Sequence, residues 1–205
     1  MSHIKIHRHA LSGHSHRVEL FASLAGIPAE LIDVDLLAGE HKTEPFLSLN
    51  PAGQVPVIED GVTVVSDSNA ILVYLAERYA PQWYPADLAS RVEIQKFLSL
   101  AAGAIAFGPA AARLVTVFGA KLDAERAKAI ARTAFERLED HLAERSWLVG
   151  EKASIADVAL YSYTAHAPEG NVSLEPYPNL RAWLKRLEAL PGFVGMSRTD
   201  VGLAA

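Results

Sequence analysis

The segment NPAGQVPVIEDGVTVVSDSNAI, residues 50–71, decides the fold. Two short apolar runs, PVIED at 56–60 and VTVV at 62–65, are joined through Asp60-Gly61, a two-residue β-hairpin signal. Pro56 opens the first run, and a residue that cannot donate to a sheet ladder fits the start of a strand. Val55 is thereby left with backbone groups free to pair with an extended ligand. After the hairpin, SDSN precedes AILVYLA, which is apolar on all sides and predicts a buried helix beginning at Asp67 or Ser68.

Toward the N-terminus, residues 3–9 alternate around Ile4 and Ile6 as a strand, and LSGHSHRV at 11–18 leads into a helix through Val18, Phe21, Ala22 and Ala25 up to Gly26. Leu31 to Leu37 alternates as a second strand. The predicted order through Tyr79 is strand, helix, strand, irregular segment, hairpin, helix. Composition then shifts: APQWYPADL, residues 80–88, carries two prolines and reads as a linker. The remainder, 89–205, reads as helical. Ile130, Ala134, Leu138 and Leu142 form one apolar stripe, and Leu180, Trp183, Leu184 and Leu187 form another that stops before Pro191-Gly192. Gly108-Pro109 predicts a kink in the first long helix, and Ser154-Ile-Ala-Asp157 fits a capping box.

Composition excludes several functions. The 205 residues are 50% hydrophobic, enough for one or two packed domains, and a net charge of -5 provides no basic excess for nucleic acid or an anionic membrane. There is no cysteine, so a disulfide scaffold, a zinc–thiolate site and a cysteine nucleophile are all ruled out. Five of the eight histidines (His3, His7, His9, His14 and His16) fall in the first sixteen residues, but no acidic ligands lie beside them, and a strand with one polar face accounts for His7 and His9. No metal is expected. The opening residues lack the apolar core of a signal peptide, and the longest uncharged run, 97–112, is shorter than a membrane span, so a cytoplasmic protein is expected.

Four stretches, LSGHSHRV, GEHK at 39–42, NPAGQVPVIED and SDSNAI, resemble in order and spacing the glutathione-binding segments of cytosolic glutathione transferases. SIADV and the tail YPNLRAWLKRLEALPGF resemble that family's helical domain, so the likeness covers essentially the whole chain. It is nearest to the serine-type classes such as theta and phi. The resemblance implies an α/β thioredoxin-like N-terminal domain (1–79), an all-α C-terminal domain (89–205), a cis Val55-Pro56 bond and a homodimer with its active site at the domain junction. LSGHSHRV also resembles the SSCxxRV signature of zeta-class isomerases, but His14 stands where that class has cysteine.

Glutathione is an anionic tripeptide with a central thiol, so its site needs an anion holder, an edge to pair with and a stabiliser for the thiolate. At Asp67-Ser68 a helix start would take a carboxylate while Asp67 faces the ammonium group of the γ-glutamyl end; helix capping alone is the alternative. Val55 and Pro56 supply the edge, Gln54 lies beside it, and His41 and Lys42 would bring positive charge to the glycyl carboxylate unless they form a solvated face. A thiol with a pKa of about 8.5 is only about 3% ionised at pH 7. One hydroxyl donating to the thiolate contributes about 1.5–3 kcal/mol, comparable to the ~2.7 kcal/mol that a two-unit shift requires. The resemblance aligns Ser12 with the activating serine; Ser15 is the rival, and either also fits a helix N-cap.

For a small hydrophobic electrophile, the expected contacts are Phe107, Ala111 and Leu114 on one helical face, with Tyr163, His166 and Arg113. Attack of the thiolate on such an electrophile is the expected reaction. Glutathione-dependent reduction of peroxides or disulfides, or a non-catalytic partner-binding module, are the alternatives.

Overall fold

Ile4 and Ile6 are buried where they alternate with Lys5 and His7 along β1 (Ile4–Arg8), an inner strand of the first sheet. The computed structural model describes residues 4–204; His3, expected in this strand, lies outside the described residues. The sheet has the order β2-β1-β3-β4, with β2 (Ala29–Asp33), β3 (Val57–Asp60) and β4 (Thr63–Ser66). β1 runs parallel to β2, with Ile4 opposite Ala29 and Arg8 opposite Asp33, and antiparallel to β3, with Ile6 opposite Ile58. A parallel pair needs a crossover, supplied by α1 (Gly13–Leu24), whose Val18, Leu20 and Phe21 are fully buried.

Local chemistry moves several boundaries from their expected places. Helix α1 starts well before Val18 because Ser12 caps it, its Oγ accepting from the Ser15 amide at 3.2 Å. Strand β2 ends at Asp33 instead of Leu37: Val34 still donates to the Arg8 carbonyl, but Asp35 then accepts from the Ala38 amide and turns the chain. The hairpin loop is Gly61-Val62, one residue on from Asp60-Gly61, since Asp60 pairs with Thr63. Gly61 supplies the positive φ, 61°, of the first loop position. Asp60 instead ends the strand with a buried carboxylate that accepts from Tyr74 Oη at 2.8 Å and from Tyr79 Oη at 2.5 Å.

The segment expected to be irregular contains α2 (Glu44–Leu49), which buries Phe46 against Val34 and Val57. Six residues with a single buried side chain fall below the window in which periodicity is readable. Helix α3 (Ser68–Tyr79) is buried on one face through Ile71, Leu72, Leu75 and Ala76, while Val73 and Tyr74 are half-buried and Ala70 and Glu77 exposed, so it is not enclosed on all sides.

The chain divides into two compact units, the first running through Gln82 and the second beginning at Trp83. Pro191–Ser197 belongs to the first unit, whereas the sequence reading assigned the whole of 89–205 to the helical part. The return is fixed by hydrogen bonds to α1: Ser23 Oγ donates to the Gly192 carbonyl at 2.6 Å, and His16 Nε2 lies 2.9 Å from the Val194 carbonyl oxygen.

In the second unit, α4 (Leu88–Leu100) continues into a π-helical stretch, Ala101–Ala110, and then α5 (Ala111–Phe118). The expected break at Gly108-Pro109 is a change of helix type: the wider turn accommodates a proline ring that would clash with the carbonyl four residues back in an α-turn. The resulting run of 31 residues is, by length and composition alone, long and apolar enough to span a membrane, which the uncharged run 97–112 did not suggest. Here its Ile94, Phe97, Leu98, Ala101 and Ile105 are buried, and the run packs against α6 (Ala124–Leu142) and α7 (Ile155–Ala165).

On α6 the buried stripe is Ala127, Ala131, Ala134, Phe135, Leu138 and Leu142, with Ile130 at its margin. Leu180, Trp183, Leu184 and Leu187 form the buried face of α8 (Pro178–Glu188). The capping box before α7 is formed, and Asp157 does more than close it. One carboxylate oxygen accepts from the Ser154 amide at 2.9 Å, and the other accepts from the Leu148 amide at 3.0 Å and Trp183 Nε1 at 2.9 Å. Ser154→Ala removes the cap at a cost of about 1 kcal/mol and is expected to lower the Tm by about 2–4 °C in thermal denaturation.

Candidate active site

The cleft of interest, about 200 Å³ in volume, is built wholly within the first unit, where the loop before β3 faces the start of α3. The Val55-Pro56 bond is cis, and the β3 ladder begins at Val57, so Val55 keeps its backbone groups outside the sheet. Asn50 shapes the preceding loop: its Nδ2 donates to the Gln54 carbonyl at 2.8 Å, and its Oδ1 accepts from the Ala52 amide at 3.1 Å. Gly53 (φ 59°) is required here because a Cβ would fall 2.8 Å from the His41 carbonyl oxygen and 2.8 Å from Lys42 Nζ.

Across the cleft, Asp67 caps α3 by accepting from the Asn69 and Ala70 amides at 3.0 and 2.9 Å. Its φ of 70° and ψ of 120° are strained for a non-glycine residue, a conformation worth about 1–3 kcal/mol that concentrates at functional sites. Ser68 is buried, and its Oγ accepts from Arg17 Nη1 at 2.8 Å; the same Nη1 also donates to Asn69 Oδ1 at 2.7 Å. His14 Nδ1 lies 3.2 Å from Ser68 Oγ. Burial, aided by the Arg17 guanidinium and opposed by Asp67, lowers the His14 pKa to about 4, so its imidazole is neutral at physiological pH. A buried guanidinium and a helix N-terminus thus lie beside an exposed carboxylate, which suits a ligand group carrying both a carboxylate and an ammonium.

The structure brings Gln54, Val55, Pro56, Asp67 and Ser68 together in this cleft. His14, Asn50, Ala52 and Ser66 also line it and were not singled out for it from sequence. His41 does not line the cleft, and Lys42 reaches its edge through hydrogen bonds from Nζ to the Gly53 carbonyl at 3.2 Å and the Ala52 carbonyl at 3.5 Å. Ser12 is half-buried at the start of α1, two residues from His14, without lining the cleft itself. Ser15 is fully buried, its Oγ accepting from the His9 amide at 3.2 Å, which leaves Ser12 as the accessible hydroxyl of this turn.

The residues expected around an electrophile do not form one surface. Phe107 and Leu114 are exposed while Ala111 is buried, because the π-helical stretch displaces Phe107 from α-helical spacing. Arg113 is not available to an anionic ligand: it is buried, and its Nε donates to Glu169 Oε2 at 2.6 Å. His166 is buried too, with Nδ1 2.5 Å from the other oxygen of Glu169, and Tyr163 is buried on α7.

A sheet of this order, with a cis-proline edge beside a helix N-terminus and a helical unit following, defines a thioredoxin-like domain joined to an all-α domain, the glutathione transferase fold. The family model of the glutathione S-transferase N-terminal domain matches residues 11–78, and that of the C-terminal domain matches 96–191. The chain is 34% identical over 200 residues to glutathione S-transferase theta-2 of Rattus norvegicus, covering 92% of this chain and 82% of that one. A glutathione S-transferase structure from Pseudomonas fluorescens superposes with a TM-score of 0.89 at 33% identity, covering 96% of this chain and 100% of the other. A glutathione transferase homologue from Drosophila mojavensis, with bound glutathione, superposes with a TM-score of 0.84 at 27% identity over 93% and 90% of the two chains. The protein belongs to the glutathione S-transferase family.

Proposed function

We propose that this glutathione transferase binds glutathione across the cleft between Val55 and Asp67-Ser68, and that the Ser12 hydroxyl holds its thiol as a thiolate for attack on a hydrophobic electrophile. The observation that carries this reading is the meeting, in one cleft, of the Val55 backbone, which lies outside the sheet ladder, with the capped start of α3. The backbone of Val55 pairs with the cysteinyl residue, Ser68 takes the γ-glutamyl carboxylate, and Asp67 takes its ammonium group. Gln54 and Lys42 serve the glycyl end, and His41 adds positive charge behind them.

The N-cap role of Ser12 is compatible with catalysis. Its oxygen accepts from the Ser15 amide, while its one hydroxyl hydrogen donates to sulfur. The thiol proton leaves to solvent, the thiolate forms a carbon–sulfur bond, and a leaving group departs with its electron pair. Ionisation raises the reactive fraction by at most about 30-fold, so the remaining acceleration comes from holding the electrophile close. Assembly as a homodimer and a cytoplasmic location complete the proposal.

Incubation with glutathione and 1-chloro-2,4-dinitrobenzene tests the reaction, with formation of the dinitrophenyl thioether as the expected result. Oxidised glutathione formed from a hydroperoxide, with no thioether, would assign reduction instead, both thiols then coming from glutathione because the chain has no cysteine. A wild-type protein that does not bind glutathione would make the fold a non-catalytic module.

A further inference from the structure

His14 lines the cleft and lies against Ser68 from another element, α1 against the start of α3, and the proposed reading of the cleft gives it no task. Ser68 Oγ has one hydrogen to donate and two lone pairs to receive with. Arg17 Nη1 fills one lone pair at 2.8 Å. His14 Nδ1, at 3.2 Å, has two ways to complete the set. If Nδ1 carries the hydrogen, it fills the second lone pair, and the Ser68 hydroxyl hydrogen is left for a ligand. If Nδ1 is bare, it takes the hydroxyl hydrogen, and Ser68 has nothing to donate to a carboxylate. A neutral imidazole has both tautomers available, so a carboxylate in the cleft selects the first.

We propose that His14 is a positioning residue for glutathione: by donating Nδ1–H to Ser68 Oγ it commits the Ser68 hydroxyl hydrogen to the α-carboxylate of the γ-glutamyl group, and so makes the cleft selective for ligands that carry this carboxylate. This rests on the assignment of the cleft to glutathione. Arg17 alone cannot give the same selection, since with only one lone pair filled the hydroxyl still rotates between the ligand and other acceptors. The charged groups facing His14 are Arg17, on its own helix, and Asp67, at the start of α3. Burial and Arg17 keep the ring neutral, so the selection operates through a hydrogen-bond direction and not through a change of charge.

The test is calorimetric titration of wild-type protein, His14→Ala and His14→Asn with glutathione and with γ-aminobutyryl-cysteinyl-glycine, which lacks the α-carboxylate. Asparagine places an amide N–H close to where Nδ1–H lies, whereas alanine places nothing there. For His14→Ala the expected loss of glutathione affinity is about 3- to 10-fold, the range of one neutral hydrogen bond, with no change for the decarboxylated peptide. His14→Asn is expected to recover most of the loss. Equal losses for both peptides in His14→Ala would overturn the proposal, as would unchanged glutathione affinity. Should His14→Ala fail to fold, the comparison of wild type with His14→Asn decides: the ratio of the two affinities is retained if His14 acts as a donor and shifts if it acts otherwise. If the wild-type protein binds neither peptide, the assignment of the cleft fails first, and the role of His14 fails with it.

Discussion

Ser12→Ala is expected to raise the thiol pKa of bound glutathione by about 1–2 units and to lower kcat/KM for conjugation near neutral pH by about 10- to 30-fold, the limit set by full ionisation. The magnitude follows from the bond removed. A hydrogen bond to a charged group contributes about 1.5–3 kcal/mol, and each pKa unit is about 1.36 kcal/mol of preference for one protonation state. Because the hydroxyl acts on the thiolate more than on the neutral thiol, the KM for glutathione should change far less than kcat. Loss of the Ser12 cap also costs about 1 kcal/mol of stability, a change separable by thermal denaturation. Ser15→Ala is the control: its hydroxyl is buried on the His9 amide, so its removal should affect stability and leave the thiol pKa in place. Titration of thiolate absorbance in the three proteins checks both statements.

The second large effect concerns Glu169, whose carboxylate gathers Arg113 and His166 together with the Thr199 hydroxyl at 2.7 Å, all within the second unit. Glu169→Ala leaves the Arg113 guanidinium buried without its counter-ion, and the expected cost is about 3–5 kcal/mol. In a protein of this length that corresponds to a fall in Tm of about 6–20 °C. Replacing both Arg113 and Glu169 by leucine should recover much of the loss, because the penalty comes from an unpaired charge more than from the missing attraction.

The same cluster gives a pH dependence of defined sign. Burial lowers the His166 pKa below its ordinary value of 6.5 despite the attraction of Glu169, so the folded protein binds fewer protons there than the unfolded chain. The contribution is fully present above pH 6.5 and diminishes as the pH falls toward the lowered value. Denaturation followed from pH 7.5 to 5 should show this loss, and His166→Asn should reduce it.

Arg113 and His166 also show where sequence reasoning stopped. Their spacing and polarity suggested ligand contacts, but the partner that engages them, Glu169, belongs to a 3-10 turn fixed by contacts beyond the reach of local periodicity. Phe107 was placed on the face of Ala111 and Leu114 by α-helical spacing, which the π-helical stretch breaks. The strands, the hairpin, the α8 stripe and the capping box were legible because each is written in adjacent residues: alternation for β1, a glycine turn at Gly61, Ser154 and Asp157 three apart. The lining of the cleft was legible for a similar reason, since Gln54-Val55-Pro56 and Asp67-Ser68 are short contiguous stretches joined by a hairpin. His14 was not, because its place in the cleft arises from α1 lying beside the start of α3, 54 residues away in sequence.

The most direct measurement is the pH titration of thiolate absorbance for glutathione bound at saturation to the wild-type protein. Activation by Ser12 predicts a midpoint one to two units below the free thiol value of about 8.5, returning toward that value in Ser12→Ala. A bound thiol that titrates at the free value in the wild-type protein would contradict thiolate activation and leave the cleft as a site that holds glutathione without preparing it to react.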